Sequence, residues 1–309
     1  MPRSTRSFFG LTPMRRILLL LLASNSAALA SGPAPVLFDD FSYASLEAFR
    51  SNGWIARTAQ GWPGIEGATW LDAVTFVDDP ARPGNRLVRM TATTDGAATR
   101  QAQFCHQRKY REGTYAARVR FSDGPIAGPD GDQVVETFYT IAPLKAPLDP
   151  DYSEQDFEYL PNGGWGGADL TLHTTTWETF RPEPQWLQVS KSDSRRGSLD
   201  GWHTLVLQIA NHKVRYFLDG ALLATHGEPY YPEDHMSINF NLWFIREGLI
   251  DSREQRVYSE DVDWVFHAAG SVVSPKEVER QVAALRAAKV GFRDTVPALQ
   301  PALSSPCDF

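Results

Sequence analysis

The chain is short of cysteine, of clustered basic residues and of long apolar runs, and each shortage excludes a class of protein. Two cysteines in 309 residues are too few for a disulfide-rich scaffold or for a cysteine-built metal site. The seven histidines are scattered and form no helical pair, so no metal ligand set is expected. A net charge of −7 without a basic cluster argues against nucleic-acid binding.

Helical periodicity is also scarce before residue 270, whereas short runs of β-branched and aromatic residues are frequent. Nine Trp, ten Tyr and seventeen Phe, many within these runs, favour a single all-β sandwich or barrel. Turn residues separate the runs, and Asp219-Gly220 predicts a tight hairpin. The predicted strands cover residues 36–41, 86–93, 113–121, 133–141, 155–160, 169–177, 201–210, 213–218, 221–225, 236–244 and 262–268.

Residues 1–30 have the pattern of a signal peptide. A pair of arginines precedes the apolar run 17–23, which is too short to span a bilayer, and Ala28-Leu29-Ala30 matches a cleavage site. We expect the mature chain to begin near Ser31 and to be secreted, extracellular or periplasmic, with no membrane association after cleavage.

The C-terminal part, residues 271–309, differs from the body. Ser274 and Glu277 form a capping box with Pro275 at the first helical position, and apolar residues then recur at helical spacing. This pattern predicts an amphipathic helix over 275–290, packed on the sandwich by a narrow apolar stripe.

Both cysteines, Cys105 and Cys307, fall in the exported part. An oxidising compartment favours one disulfide between them, which would tie the C-terminal tail to the body. Two free thiols are the alternative.

The stretch 152–159 carries three carboxylates at alternate positions. In a β-strand, Glu154, Asp156 and Glu158 share one face, where three acids repel each other and do not help the fold. Paired carboxylates that flank a scissile bond are what glycoside hydrolysis requires. The alternative is a solvated polar strand face.

Further strands alternate polar and aromatic residues in the same way. Asn239, Asn241 and Trp243 share one side of strand 236–244, where amides can bind sugar hydroxyls and a ring can stack on a sugar face. His173 and Trp177 repeat this pattern in strand 169–177, which we expect to lie next to the acidic strand. Trp165, in a glycine-rich loop between these two strands, either lines the rim of a cleft or anchors its turn to the core.

These motifs together resemble glycoside hydrolase family 16. The acidic stretch matches the family's Glu-x-Asp-x-Glu, residues 113–119 resemble its Gly-x-Tyr-Glu-x-Arg strand, and Asn241-Leu242-Trp243 matches an Asn-x-Trp strand of the cleft. Trp202-His203-Thr204 with the Asp219-Gly220 hairpin, and Val262-Asp263-Trp264-Val265, follow in the family's order. Ala116 and Ile141 depart from the pattern, at positions where many members carry a substrate-contacting Glu and an aromatic ring.

The resemblance implies a fold, an activity and a set of roles. The fold is a concanavalin-like jelly-roll β-sandwich over residues 31–270, with the C-terminal helix appended. Glu154 would be the nucleophile and Glu158 the general acid/base of a retaining endo-glycosidase, with Asp156 between them. Arg118, and Tyr139 in the predicted strand 133–141, are expected to contact substrate.

The implied substrate is a β-linked polysaccharide of the β-glucan or galactan type. No cofactor is required, and a structural calcium, found in related proteins, has no ligand cluster here that demands it. A transglycosylase would use the same covalent intermediate. A lectin or a structural wall protein on the same fold is the alternative from another class, although binding alone has no use for three acids. We expect a monomer.

Overall fold

The computed structural model describes Met1, residues 34–304 and Cys307. The predicted signal peptide lies outside the described residues. The chain divides at residue 33, and Ala34–Phe309 forms one compact unit.

Seventeen strands and two α-helices make up the described part of the chain. The helices are α1 (Leu46–Ser51) and α2 (Pro275–Ala287), and a 3₁₀ turn covers Arg246–Gly248. The strands are β1 Val36–Asp39, β2 Trp54–Ala56, β3 Val74–Asp78, β4 Arg86–Thr94, β5 Thr99–Arg100, β6 Ala102–His106, β7 Gly113–Phe121, β8 Val134–Ile141, β9 Glu154–Leu160, β10 Thr171–Arg181, β11 Leu187–Arg196, β12 Gly201–Ala210, β13 Lys213–Leu218, β14 Ala221–Gly227, β15 Ser237–Phe244, β16 Arg256–Ala269 and β17 Phe292–Asp294.

The strands form two antiparallel sheets, which confirms the predicted all-β sandwich. The ten-stranded sheet has the order β14-β13-β12-β7-β16-β1-β17, and the first half of β16 pairs with β4, which carries β3 and β5. The seven-stranded sheet has the order β11-β10-β9-β8-β15-β6-β2. The acidic strand β9 is therefore near the middle of the seven-stranded sheet, beside β10, as the sequence predicts.

Alternation of side chains decides which face of each strand is buried between the sheets. Phe157 and Tyr159 of β9 join Phe138, Phe240 and Leu242 in the main core. The acids of β9 therefore point away from the core, on the outer face of the seven-stranded sheet. Burial of these large rings supplies the driving force that holds β9 against the core.

Two local predictions are confirmed with small changes. Asp219 and Gly220, both with positive φ (50° and 83°), form the two-residue turn between β13 and β14. The C-terminal helix α2 starts at Pro275 with Ser274 as its N-cap, but it ends at Ala287 rather than at 290. The early end coincides with Lys289, whose φ of 56° turns the chain out of the helix.

Helix α2 packs on the outer face of the ten-stranded sheet, the side of the sandwich opposite the acids. Val278 and Val282 of the helix meet Phe266, Trp264 and Ala116. Among the described residues, no helix is long and apolar enough to cross a membrane.

A disulfide joins Cys105 in β6 to Cys307, with the two Cα atoms 5.6 Å apart. It closes a loop across a sequence separation of 202 residues. Cys307 is 1% exposed. The bridge attaches the end of the chain to the outer face of the seven-stranded sheet.

We expect Cys307→Ser to lower the free energy of unfolding by about 2–5 kcal/mol, because the bridge restricts a long loop in the unfolded chain. Thermal and guanidinium unfolding of the variant and of the wild type would measure the loss. Wild-type protein treated with a reductant is the matched control, because the chain has one disulfide, and it should unfold at the variant's midpoint. An unchanged midpoint in both samples would contradict the prediction.

Candidate active site

The three acids of β9 lie in three successive rows that cross the seven-stranded sheet. Glu154 is opposite Ile141 of β8 and Trp177 of β10. Asp156 is opposite Tyr139 and Thr175, and Glu158 is opposite Thr137 and His173, on the same two strands. All these side chains share the outer face, since each pair is in direct cross-strand register.

Two apolar clusters flank the acids along the direction of the strand. One, next to Glu154, consists of Tyr139, Ile141 and Tyr152, with Leu144, Trp177 and Phe180 packed against it. The other, beyond Glu158, consists of Trp70, Val135, Leu160, Trp243 and Ile245. The acids thus lie between two apolar clusters that reduce their contact with water.

Burial is the main cause of the unusual proton affinities of this group. It raises the pKa of Glu154 to about 7 and the pKa of Glu158 to about 8. It also raises the pKa of Asp156 well above the usual range, and the neighbouring charges of Glu154 and Glu158 add to that rise. At neutral pH the cluster therefore retains protons.

Each acid has its own hydrogen-bond donor. The Tyr152 hydroxyl donates to Glu154, and the Trp177 indole N–H donates to Asp156 Oδ2 at 2.9 Å. The Trp165 indole donates to Glu158. A hydrogen bond between Asp156 and Glu154 lowers the pKa of Glu154 and raises the pKa of Asp156.

This arrangement separates the two glutamates chemically. Glu154 receives two hydrogen bonds and ionises first, whereas the Glu154 charge disfavours ionisation of Glu158. Between the two pKa values, one ionised carboxylate and one protonated carboxyl face the same space. A carboxylate and a carboxyl group in this relation can supply a nucleophile and a proton donor.

Several predicted binding residues do surround the acids. Trp165 is 51% exposed and its ring centroid lies 5.8 Å from that of Trp243, so it lines the rim. His173 is half-buried beside Glu158, and burial lowers its pKa below the ordinary value, which keeps the imidazole neutral. Trp177 contacts Asp156 directly.

The prediction that Asn239 contacts substrate is wrong. Its side chain is 0% exposed and its amide donates to Ser237 Oγ at 2.8 Å. Asn241 is also covered: its amide N–H donates to the Tyr139 hydroxyl and its carbonyl accepts from Thr137. The alternation places both amides on the correct face, but neighbouring side chains cover that part of the face, so both amides support the site from below.

The prediction that Arg118 contacts substrate is wrong as well. Arg118 belongs to β7 in the ten-stranded sheet, whereas the acids belong to the other sheet. Its guanidinium lies 5.2 Å from the centre of the Trp202 ring and 3.7 Å from Asp263. Side chains alternate along β7, so Tyr115 and Ala117 are buried in the core and Arg118 points to the far side of the sandwich.

Sequence reasoning missed four residues of the site. Tyr152 precedes Glu154 by two positions, so period-two alternation could have identified it. Gln103 belongs to the short strand β6, which lacks a strong sequence signal. Trp62 and Trp186 lie in proline-containing loops and are 61% and 49% exposed. Trp62 adjoins Trp243, and Trp186 adjoins Trp177.

Within the described part of the chain, no group of three or more His, Cys, Asp or Glu side chains is placed to hold a metal ion. The acids of β9 instead have indole and phenol donors as partners. The chemistry that this site supports is proton transfer and nucleophilic attack by carboxyl groups.

No protein-family model matches the sequence, and no curated protein matches it. Solved structures do match its fold. A β-glucanase from Bacillus licheniformis aligns with 77% of this chain and 99% of its own, at a TM-score of 0.54 and 14% identity. A glycoside hydrolase family 16 endo-glucanase from Bacteroides ovatus aligns with 74% of this chain and 98% of its own, at a TM-score of 0.56 and 16% identity.

The chain shares the jelly-roll fold of these two enzymes. A kappa-carrageenase from Pseudoalteromonas carrageenovora shares it, over 80% of this chain and 99% of that enzyme, at a TM-score of 0.51 and 14% identity. Identities this low establish the fold alone. A shared fold does not fix the function, so the activity of this chain depends on the residues of its own site.

Proposed function

We propose that this protein is an exported, retaining endo-glycosidase that hydrolyses β-glycosidic bonds of a β-glucan or a galactan. One observation carries the proposal: Glu154, Asp156 and Glu158 lie in register between two apolar clusters, with pKa values raised by burial. A polar strand face made for solvation would have exposed acids with ordinary pKa values. The names of the fold neighbours, a β-glucanase and a kappa-carrageenase, support the substrate class.

In the first step, ionised Glu154 attacks the anomeric carbon while Glu158 gives its proton to the leaving oxygen. Asp156 keeps its proton and donates a hydrogen bond to Glu154, which holds the nucleophile in place. The result is a glycosyl ester of Glu154 and a free sugar hydroxyl. No metal or cofactor takes part in this proposal.

In the second step, the ester has no charge, so the Glu154 contribution that raises the pKa of Glu158 is gone. Glu158 then stays ionised and accepts a proton from the water that attacks the ester. Glu154 leaves as a carboxylate, and the sugar keeps its original anomeric configuration. If a sugar hydroxyl replaces the water, the same steps give transglycosylation.

A reducing-end assay tests the proposal. Purified residues 31–309 would be incubated with mixed-linkage β-glucan, kappa-carrageenan, agarose and, as an α-linked control, starch. We expect new reducing ends from at least one β-linked polysaccharide and none from starch. Retarded migration of the protein in polysaccharide gels without any cleavage would contradict the proposed glycosidase activity and favour a lectin.

A further inference from the structure

The outer face of the seven-stranded sheet is open on one side of the acids and covered on the other. On the open side, Ser192 and Ser194 of β11 are exposed, and His173 of β10 is half-buried. On the covered side, Asn239 of β15 and Cys105 of β6 are both 0% exposed. Both sides belong to the same cross-strand rows, so the asymmetry comes from what lies above the sheet.

Tyr139 begins the cover. It stands on β8 next to Asp156, and its hydroxyl accepts a hydrogen bond from Gln103 on β6 at 2.8 Å. Strands are about 4.8 Å apart, so the Tyr139 and Gln103 side chains together span roughly 10 Å of sheet, across β15. The Tyr139 ring therefore lies over β15, where Asn241 also donates to its hydroxyl at 3.1 Å.

Arg57 continues the cover above β6. Its guanidinium donates to Gln103 at 2.9 Å and to the Trp62 carbonyl at 2.9 Å, and it lies 3.9 Å from the centre of the Trp70 ring. With 3% exposure, Arg57 fixes the loop that follows β2 over this edge of the sheet. The Cys105–Cys307 bridge stands in the adjacent row, where Cys307 also contacts the carbonyl of Ile55.

The direction of a bound saccharide follows from the positions of the two glutamates. In retaining chemistry the sugar lies between its two carboxyls, and here both are on β9. The apolar clusters beyond Glu154 and Glu158 limit space along the strand. The saccharide therefore crosses β9, with one arm over β10 and β11 and the other over β8 toward β6.

We propose that Tyr139, Gln103, Arg57 and the Cys105–Cys307 bridge form a wall that ends the cleft on the β6 side. Tyr139, on the strand next to β9, leaves room for about one sugar unit before the wall at a strand spacing of about 4.8 Å, whereas the opposite arm ends in the exposed serines of β11. Cleavage then falls close to one end of the polysaccharide and releases short products of fixed length. This inference rests on the proposed glycosidase chemistry and replaces its endo mode with cleavage near a chain end.

The sizes of the products from a cleaved polysaccharide test whether the wall restricts cleavage to one end of the polymer. Mixed-linkage β-glucan and kappa-carrageenan would be digested until a few per cent of bonds are cut, and the mixture separated by size-exclusion chromatography with light scattering. We expect short oligosaccharides from the first time point, while the polymer peak keeps its molar mass. A polymer peak that moves as a whole to intermediate masses would overturn the inference and leave the proposed function standing. No cleavage of any polysaccharide would refute both.

Two variants test whether the wall causes the release of short products. Gln103→Ala removes the anchor shared by Tyr139 and Arg57, and Cys307→Ser removes the covalent link. We expect each to shift products toward intermediate masses, by at least about twofold in mean oligosaccharide length. Glu279→Gln, at an exposed position of α2 on the opposite side of the sandwich, is the matched control and should keep the wild-type pattern. Tryptophan fluorescence checks that each variant is folded, and if one variant does not fold, the products of the other test the wall. Wild-type products from a folded Gln103→Ala would overturn the assignment.

Discussion

Glu154→Gln is expected to lower kcat on the cleaved polysaccharide by at least about a thousandfold, because the amide cannot form the glycosyl ester. The substitution keeps the shape of the side chain and can still accept from the Tyr152 hydroxyl. KM should change little, since the sugar contacts remain. Reducing-end assays at saturating substrate measure the loss.

The same variant makes a second, independent change. The Glu154 charge raises the pKa of Glu158, so its removal should lower the pKa of Glu158. Glu279→Gln, the same chemical change at an exposed position of α2, is the matched control and should retain wild-type kcat. Retention of more than a tenth of wild-type activity by Glu154→Gln would rule out its role as nucleophile.

Glu158→Gln is expected to reduce kcat on the polysaccharide by about 10²–10⁴-fold, the usual contribution of general acid catalysis. The loss should be far smaller for glycosyl ester formation from an aryl glycoside with a good leaving group, which needs no proton. Stopped-flow release of the aryl alcohol measures this first step. Equal losses on both substrates would contradict the assignment of Glu158 as the acid.

The pH dependence distinguishes the two glutamates. Glu154 must be ionised for attack, so kcat/KM should rise with pH through the Glu154 pKa of about 7. Glu158 must be protonated, so kcat/KM should fall as the pH rises through the Glu158 pKa of about 8. The wild type should therefore give a narrow bell with its maximum between these values. Glu158→Gln should lose the alkaline limb and keep the acid limb. A maximum near pH 4–5 would mean that the acids are not buried as described.

The elements that bury a continuous apolar face could be predicted closely from the sequence. Strands β7, β12 and β13 have the predicted bounds, because alternating aromatic and β-branched residues end at glycine or at turn residues. Strand β11 was missed because its exposed run of Ser, Lys, Asp and Arg lacks β-propensity. It is held by pairing with β10, which a single-segment pattern does not record.

The site was predictable only as far as one strand determines it. Period-two alternation placed the three acids of β9 on one face, and the structure agrees. Alternation cannot tell which sheet a strand joins, so Arg118 of β7 was assigned to the wrong side of the sandwich. It also cannot tell what covers a face, so Asn239 was assigned to an open surface, although its side chain beside Tyr139 is fully buried.

Trapping the covalent intermediate tests the central claim most directly. A 2-deoxy-2-fluoro glycoside of the released sugar, with a dinitrophenyl leaving group, would be incubated with the enzyme and the peptides mapped by mass spectrometry. We predict one glycosyl adduct on Glu154, formed in the wild type and in Glu279→Gln but absent from Glu154→Gln. An adduct on another residue, or none on an enzyme that cleaves its polysaccharide, would contradict the mechanism.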